Sequence, residues 1–328
     1  MATQTLDTIE PDIDPDAARP APAKGEPFGP VAVRALRRNA VPLGLLAAFI
    51  VYAILASHEH YQFLFSEVVA GLSTGAIASL SGIGLVLTYR ATGVFNFAQG
   101  GVATGVAYAY FELNGRNGWA IVPAAMVAVL LVAPAIGLLF EIGVFRPLER
   151  RGGSTSEKLV ANISCLVLLI AVPSIIPSFG QATFQPNSIW PSRTAFGIGS
   201  VNVPWDTVGD VLVVIGVGIG LTLLFRFTRL GTQIRAVVDR RTLAELNAVN
   251  ANRVSQIAWV LGCAFAGMAG VLYAPSRGLG PGYITLAVLE TIGVAVIARL
   301  RSIPAAAVAG LVIGVVGAVG QSVSSNEP

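Results

Sequence analysis

Long apolar runs dominate this chain and leave it few folds to choose from. Nine of them lie at about 41–57, 66–89, 93–113, 119–143, 159–180, 207–225, 255–275, 284–298 and 303–321. About 20 residues of helix cross the roughly 30 Å of hydrocarbon in a bilayer. Hydrocarbon offers the backbone no hydrogen-bond partners, so a lipid-spanning segment must satisfy its own, as a helix does. The expectation is an all-α polytopic membrane protein with about eight or nine transmembrane helices, one or more of them broken or short. If each run crosses once and the N-terminus is cytoplasmic, only Arg116, Arg193 and Arg277 of the 21 Lys and Arg fall outside. Positive charge is retained on the cytoplasmic side during insertion. The split therefore predicts a multi-pass inner-membrane protein with a cytoplasmic N-terminus, and it leaves Pro328 on the external side.

Charged residues make up 12% of the chain, about half the share usual in soluble domains. The net charge of +3 is thus a signal of topology, and nucleic-acid binding is not expected. Glycine accounts for 36 of 328 residues and falls mostly inside the apolar runs. Small residues let helix backbones approach closely in lipid, and Gly71, Gly75 and Ser79 place three of them on one helix face. Cys165 and Cys263 lie in apolar runs without a CxxC pattern and read as small core residues. His58 and His60 flank Glu59, but residues two apart do not share a helix face. They read as wet interfacial residues, and no metal or cofactor is expected.

Residues 1–30 carry six prolines and six acidic residues with little apolar content. Such a segment cannot bury enough surface to offset its ordering entropy, so a disordered cytoplasmic tail is expected there, followed by a transmembrane domain over 31–328. Arg34, Arg37 and Arg38 form a basic collar before the first run. The stretch from Arg146 to Lys158 reads as a cytoplasmic loop, and 181–206 as the longest external one, with Trp190 and Trp205 suited to the headgroup level. In the internal segment 226–254, Ile234, Val237, Val238, Leu243, Leu246 and Val249 recur at helical spacing among arginines. The stripe fits docking on another protein or an amphipathic helix on lipid headgroups.

Three blocks resemble the membrane subunits of bacterial branched-chain amino acid ABC importers, a permease family with relatives for urea and short amides. The first runs from Gly71-Leu72-Ser73-Thr74-Gly75-Ala76 to Gly93-Val94-Phe95-Asn96-Phe97-Ala98-Gln99-Gly100, similar to the family's "G-x-x-N-F-A-[HQ]-G" element. The second joins Gly231-Thr232-Gln233-Ile234-Arg235-Ala236, Ala244-Glu245-Leu246-Asn247-Ala248-Val249-Asn250 and Ala266-Gly267-Met268-Ala269-Gly270, and resembles the cytoplasmic coupling segment with the helix after it. The third is Pro281-Gly282-Tyr283 with Leu300-Arg301-Ser302-Ile303-Pro304-Ala305, similar to a "P-G" turn and a "G-S-I-P-G-A" loop. The blocks cover most of 66–320 in the family's order. Two departures stand out: the family usually has Gly at the place of Ala248, and "G-G-x-G" at that of Ala298-Arg299-Leu300-Arg301.

The resemblance implies a transport subunit that is not an enzyme. It implies cytoplasmic ABC ATPase subunits, a second permease subunit (identical or homologous), an extracytoplasmic substrate-binding protein and membrane lipid as partners. No G-x-x-x-x-G-K-[ST] phosphate loop occurs in the chain, so ATP binding by that motif must come from the partner. The implied coupling residues are Ala244, Glu245, Leu246, Ala248 and Val249, which makes docking the preferred reading of the stripe. Asn96 and Gln99, between the bends expected at Gly93 and Gly100-Gly101, fit either a translocation path or an interhelical tie, with the tie preferred. Glu290, midway along 284–298, must be wet, paired or protonated and fits either the path or a helix–helix hydrogen bond. Glu141 and Asn162 fall nearer the cytoplasmic ends and carry less weight. Alternatives to amino acid import are a permease for urea, short amides or a sugar in the same superfamily, and a secondary transporter. The last would need several deep ionisable residues, and Glu290 is the one so placed.

Overall fold

In a computed structural model of the protein, the described residues are 61–175, 185–198, 201–280, 283–300 and 302–325. The expected tail, the basic collar, the run 41–57, the two histidines, the Pro281-Gly282 turn and Arg301 lie outside them. Ten α-helices account for nearly all the rest. They are α1 (Tyr61–Thr92), α2 (Gln99–Phe111), α3 (Ile121–Arg150), α4 (Thr155–Ile175), α5 (Trp205–Phe227), α6 (Arg229–Asp239), α7 (Arg241–Leu246), α8 (Ala251–Arg277), α9 (Tyr283–Ile297) and α10 (Ile303–Ser325). A two-stranded antiparallel hairpin, β1 (Thr194–Ile198) and β2 (Val201–Pro204), precedes α5.

Among the described residues six helices are long and apolar enough to cross a membrane: α1, α3, α4, α5, α8 and α10. Two further apolar runs fold into shorter pieces. At 1.5 Å per residue, α2 with the π-turn Glu112–Arg116 that continues it is about 27 Å long and α9 with 15 residues about 22 Å, each short of the hydrocarbon thickness. The expectation of short or broken helices therefore falls on the third and eighth runs. Helix α3 instead continues past its apolar run to Arg150, through π-turns at Ala128–Val132 and Glu141–Phe145. Arg146–Arg150, expected as loop, is its last turn.

Helices α1 and α8 are the most enclosed, and the others pack around them. Gly71, Gly75 and Ser79 meet a matching row of small residues on α10. A methyl group on Gly75 would lie 2.7 Å from the Gly310 carbonyl oxygen, and one on Gly314 would overlap the Gly75 backbone. The Ser79 hydroxyl donates across this seam to the Ala307 carbonyl at 2.7 Å. On the other side of α8 a methyl on Gly137 of α3 would lie 2.6 Å from the Trp259 carbonyl. The fully buried Trp259 ring stacks on Phe145 and meets the edge of Phe140.

The segment 226–254 folds as two helices with different fates. Thr228 caps α6, its hydroxyl accepting from Gly231 N–H at 3.1 Å, and Asn250 caps α8 in the same way through Arg253 N–H. Ile234 and Val237 of α6 are buried against Ala91, Val254 and Ala258. That half of the expected stripe is core of this chain. Backbone strain marks the turns nearby. Ala248 sits at φ 60°, Arg299 at 53° and Leu300 at 54°, a left-handed region that costs a residue with a Cβ roughly 1–2 kcal/mol. Ala248 and Arg299 are at places where the resembling family has glycine.

The α1–α10 seam predicts a sharp contrast between two glycines of one helix. Gly314→Leu should lower stability by about 1–3 kcal/mol, the usual cost of overpacking. Gly317→Leu, at a position with nothing within 4 Å, should be tolerated. Thermal unfolding of the purified variants in detergent measures the difference.

Candidate functional site

The break between α1 and α2 is the first component of the site. Helix α1 stops at Thr92 because Gly93 turns left-handed at φ 70°. The Thr92 hydroxyl donates to the Thr88 carbonyl at 2.8 Å and accepts from Val94 N–H at 3.1 Å. Residues 93–98 are irregular, and irregular backbone inside a membrane protein needs side-chain partners. Asn162 of α4 supplies them: its oxygen accepts from Ala98 N–H at 2.9 Å and its amide donates to the Phe95 carbonyl at 2.9 Å. Asn162 is fully buried. The sequence reading gave it little weight, yet one amide in an otherwise apolar run was the available signal. Glu141, also expected near water, is buried as well and pairs with Arg146 at 3.2 Å. The π-turn brings these two residues, five apart, onto one face.

Gln99 opens α2 and lies at a three-helix junction. Its amide donates to the Ser81 carbonyl of α1 at 3.1 Å and to the Gly262 carbonyl of α8 at 3.3 Å. Its oxygen accepts from the Asn96 amide at 2.9 Å. The junction closes only because Gly84 and Gly262 face each other; a methyl on Gly84 would lie 2.6 Å from both the Gln99 nitrogen and the Gly262 carbonyl. Asn96 and Gln99 are fully buried, and this geometry is that of an interhelical tie. Gly100-Gly101, expected as a bend, is helical, and Gly101 instead lets α2 approach Leu166 and Leu169 of α4.

Beside that junction lies a narrow cleft. Thr74, Ile77 and Ser81 of α1, Gly100 and Ala103 of α2, Gly270 and Tyr273 of α8, and Glu290 and Thr291 of α9 line it. Both short helices thus contribute to one cavity. Glu290 is exposed along α9 and faces this space with a hydroxyl-bearing wall opposite. A carboxylate at such a place is stable beside water or a partner cation, and costly against lipid. Of the three tentative path residues, the cleft holds Glu290; Asn96 and Gln99 stand one layer behind it and fix the wall.

One end of the bundle is covered by the segment 185–190. Tyr110 donates to the Asn187 carbonyl at 2.8 Å, the Asn187 amide to Asn114 at 2.9 Å, and Gln185 to the Pro275 carbonyl at 3.0 Å. Trp190 donates its indole N–H to Asp210 at 3.0 Å, and Asp210 also accepts from Ser73 at 2.6 Å. The Trp190 ring lies over Gly209, where no Cβ would fit. Trp190 is thus folded onto α5. Arg116, Arg193 and Arg277 all belong to this end, and α6 and α7 to the other.

At the opposite end the expected coupling residues separate. Ala244 is buried in this chain's own core, and Val249 packs against the same cluster. Glu245 and Ala248 are exposed. Leu246 is 78% exposed and Leu243, one turn before it, 49%. The apolar pair offered outward is therefore Leu243 with Leu246, and Val249 is an inward anchor.

Comparison with known proteins agrees with this architecture. A family described as "Branched-chain amino acid transport system / permease component" matches residues 67–328. The high-affinity branched-chain amino acid transport system permease protein BraD of Pseudomonas aeruginosa is 29% identical over 280 residues, covering 82% of this chain and 90% of the relative. The corresponding protein LivH of Escherichia coli K12 is 26% identical over 281 residues, with the same shares. A probable branched-chain amino acid transport permease protein LivH of Methanocaldococcus jannaschii is 28% identical over 243 residues, covering 72% of this chain and 74% of the relative. No solved structure matches the chain. The chain belongs to this family of transport permeases, and it is a multi-pass helical membrane protein of the inner membrane.

Proposed function

We propose that this member of the branched-chain amino acid transport permease family is the membrane subunit of an ABC importer that passes branched-chain or related amino acids into the cytoplasm. A separate cytoplasmic ATPase drives it, a second permease subunit completes the pathway, and an extracytoplasmic binding protein delivers the substrate. The N-terminus and the α6–α7 end face the cytoplasm; the Arg116, Arg193 and Arg277 end faces out. The observation that carries this reading is the narrow cleft between the two short helices, mostly apolar but with a mid-helix carboxylate on one wall and hydroxyls on the other.

Each wall has a chemical part to play in that reading. The Glu290 carboxylate attracts the substrate ammonium, Thr74, Ser81 and Thr291 take over hydrogen bonds that water gave up, and Ile77 and Ala103 tolerate an aliphatic side chain. Tight binding would slow release, so one charge and a few hydroxyls suit a path better than a storage site. Gln99 and Asn96 hold α1, α2 and α8 in register and are positioning residues. Leu243 and Leu246 seat in the ATPase, with Glu245 and Ala248 beside them, and transmit its closure through α6 to α1 and α8. A urea or short-amide permease is the second reading, since a neutral substrate would not need the Glu290 charge.

Uptake assays on cells expressing the assembled importer separate these readings. Glu290→Gln should slow uptake of a branched-chain amino acid by about tenfold to a hundredfold, the worth of one charge-assisted hydrogen bond of about 1.5–3 kcal/mol, at unchanged abundance. If Gln transports normally and Glu290→Leu fails to accumulate, the carboxyl only holds helices together. For coupling, Leu243→Asp with Leu246→Asp should abolish uptake and co-purification with the ATPase while the permease still inserts. Val249→Asp should lower permease abundance itself, because its partners are within the chain. Normal ATPase association in the double variant would mean that the exposed leucines face lipid.

A further inference from the structure

We propose that Arg277 receives the carboxylate of the substrate whose ammonium Glu290 attracts, so that the two residues together select zwitterionic amino acids over amines and uncharged amides. The inference rests on the amino acid reading above and supplies the second charged contact which that reading lacks. An amino acid carries both charges, and taking either out of water without a partner is costly. Among the described residues lining the cleft, Glu290 is anionic and none is cationic. A path built on them alone would meet the ammonium and leave the carboxylate bare.

Three arginines belong to this end of the bundle. Arg116 is paired with Glu112 at 3.2 Å, and Arg193 precedes the β-hairpin. Arg277 is the last residue of α8. It stands one turn beyond Tyr273 on the same helix face, and Tyr273 lines the cleft. The Arg277 guanidinium interacts electrostatically with both Glu290 and Tyr273, yet no direct ion pair joins it to Glu290 among the described residues. Arg277 and Glu290 are both exposed. Opposite charges that are coupled, accessible and not in contact suit a guest that carries both signs in reverse order. Such a guest would lie with its ammonium toward Glu290, midway along α9, and its carboxylate toward the end of α8.

A guanidinium offers five N–H donors in a planar fork that matches a carboxylate. A cation in the last turn of a helix also answers the negative end of the helix dipole. That role needs only a positive charge near the final carbonyls, and it is indifferent to what enters the cleft. Selection is not indifferent. An amine without a carboxylate meets Arg277 as a like charge, which repels it, and an uncharged amide gives the guanidinium no anion to hold.

The test is ligand protection in the assembled importer, with a permease chain that lacks Cys165 and Cys263 and carries Thr74→Cys as a reporter in the cleft wall. Leucine and 3-methylbutylamine, the same molecule without its carboxylate, each compete with a small hydrophilic thiol reagent. Leucine should protect at the lower concentration. Arg277→Gln should raise the half-protecting concentration of leucine by about tenfold or more, the effect of losing one hydrogen bond between charged groups. It should leave protection by the amine unchanged or improve it. Arg277→Lys, which keeps the charge, should retain most of the leucine protection. Half-protecting concentrations do not depend on how much permease accumulates, and Arg277 is exposed, so the variants leave the core intact. Equal weakening for both ligands, or unchanged protection by leucine in Arg277→Gln, would overturn the proposal and leave the role of Glu290 standing. No protection by leucine in the parent chain, with leucine uptake intact, would refute the cleft as the path and this proposal with it. Failure of the parent importer to take up any branched-chain amino acid would refute the transport reading on which both rest.

Discussion

The fit of Gln99 between Gly84 and Gly262 holds the bundle together. At this point α1 and α8 approach so closely that neither can carry a Cβ, and the amide of a third helix joins both backbones. Lipid provides no hydrophobic drive between helices, so dispersion and buried hydrogen bonds of this kind must do the holding. The same device recurs at the α1–α10 seam through Gly75, Gly310 and Gly314, and at Gly137 against Trp259. Helix α1 is pinned on two sides by backbone contact, which makes it the fixed wall against which the shorter helices are arranged.

A cavity follows from that arrangement. Because α1 ends at Gly93 and the chain needs six residues to reach α2, the second helix begins partway along the first. The exposed backbone of the break is satisfied by Asn162 from α4, and the opening beside it is bounded by α9, itself too short to fill the span. The two short helices are therefore a matched pair. Their meeting point carries Glu290 and Thr291 on one side and Gly100 and Ala103 on the other. At the covered end, Asp210 ties Ser73 of α1 to Trp190 of the covering segment.

Much of this was legible in the sequence, for reasons that also explain the rest. Apolar run length identified the helices, and the spacing of Gly71, Gly75 and Ser79 identified a packing face, since both depend on local pattern alone. Length could not tell a full crossing from the short α2 and α9, because an apolar run continues through the break at Gly93–Ala98 without changing composition. The stripe from Ile234 to Val249 was read as one face. The chain breaks at Arg240, and α6 buries its apolar side inside the bundle while α7 presents Leu243 and Leu246 outward. Helical spacing carries no information about which neighbour a face will meet. Asn162 gives little sequence signal, because a lone polar residue near a span end also suits water, and Asp210 gives none. Their roles depend on backbone that is remote in sequence. The departures from glycine at Ala248 and Arg299 were visible, and both residues hold the left-handed conformation that glycine would adopt freely.

The central claim is that the cleft beside Glu290 is a water-accessible path while the core one layer behind it is dry. Site-directed labelling in a chain lacking Cys165 and Cys263 measures this directly, with a small hydrophilic thiol reagent applied to the assembled importer. Cysteines placed at Thr74 and Ser81, which line the cleft, should react, and excess substrate should protect them. Cysteines at Leu85 and Val102, fully buried in the same two helices α1 and α2, should stay unreacted. Labelling at Leu85 and Val102 equal to that at Thr74 and Ser81, or silence at all four positions in every state of the transport cycle, would contradict the account.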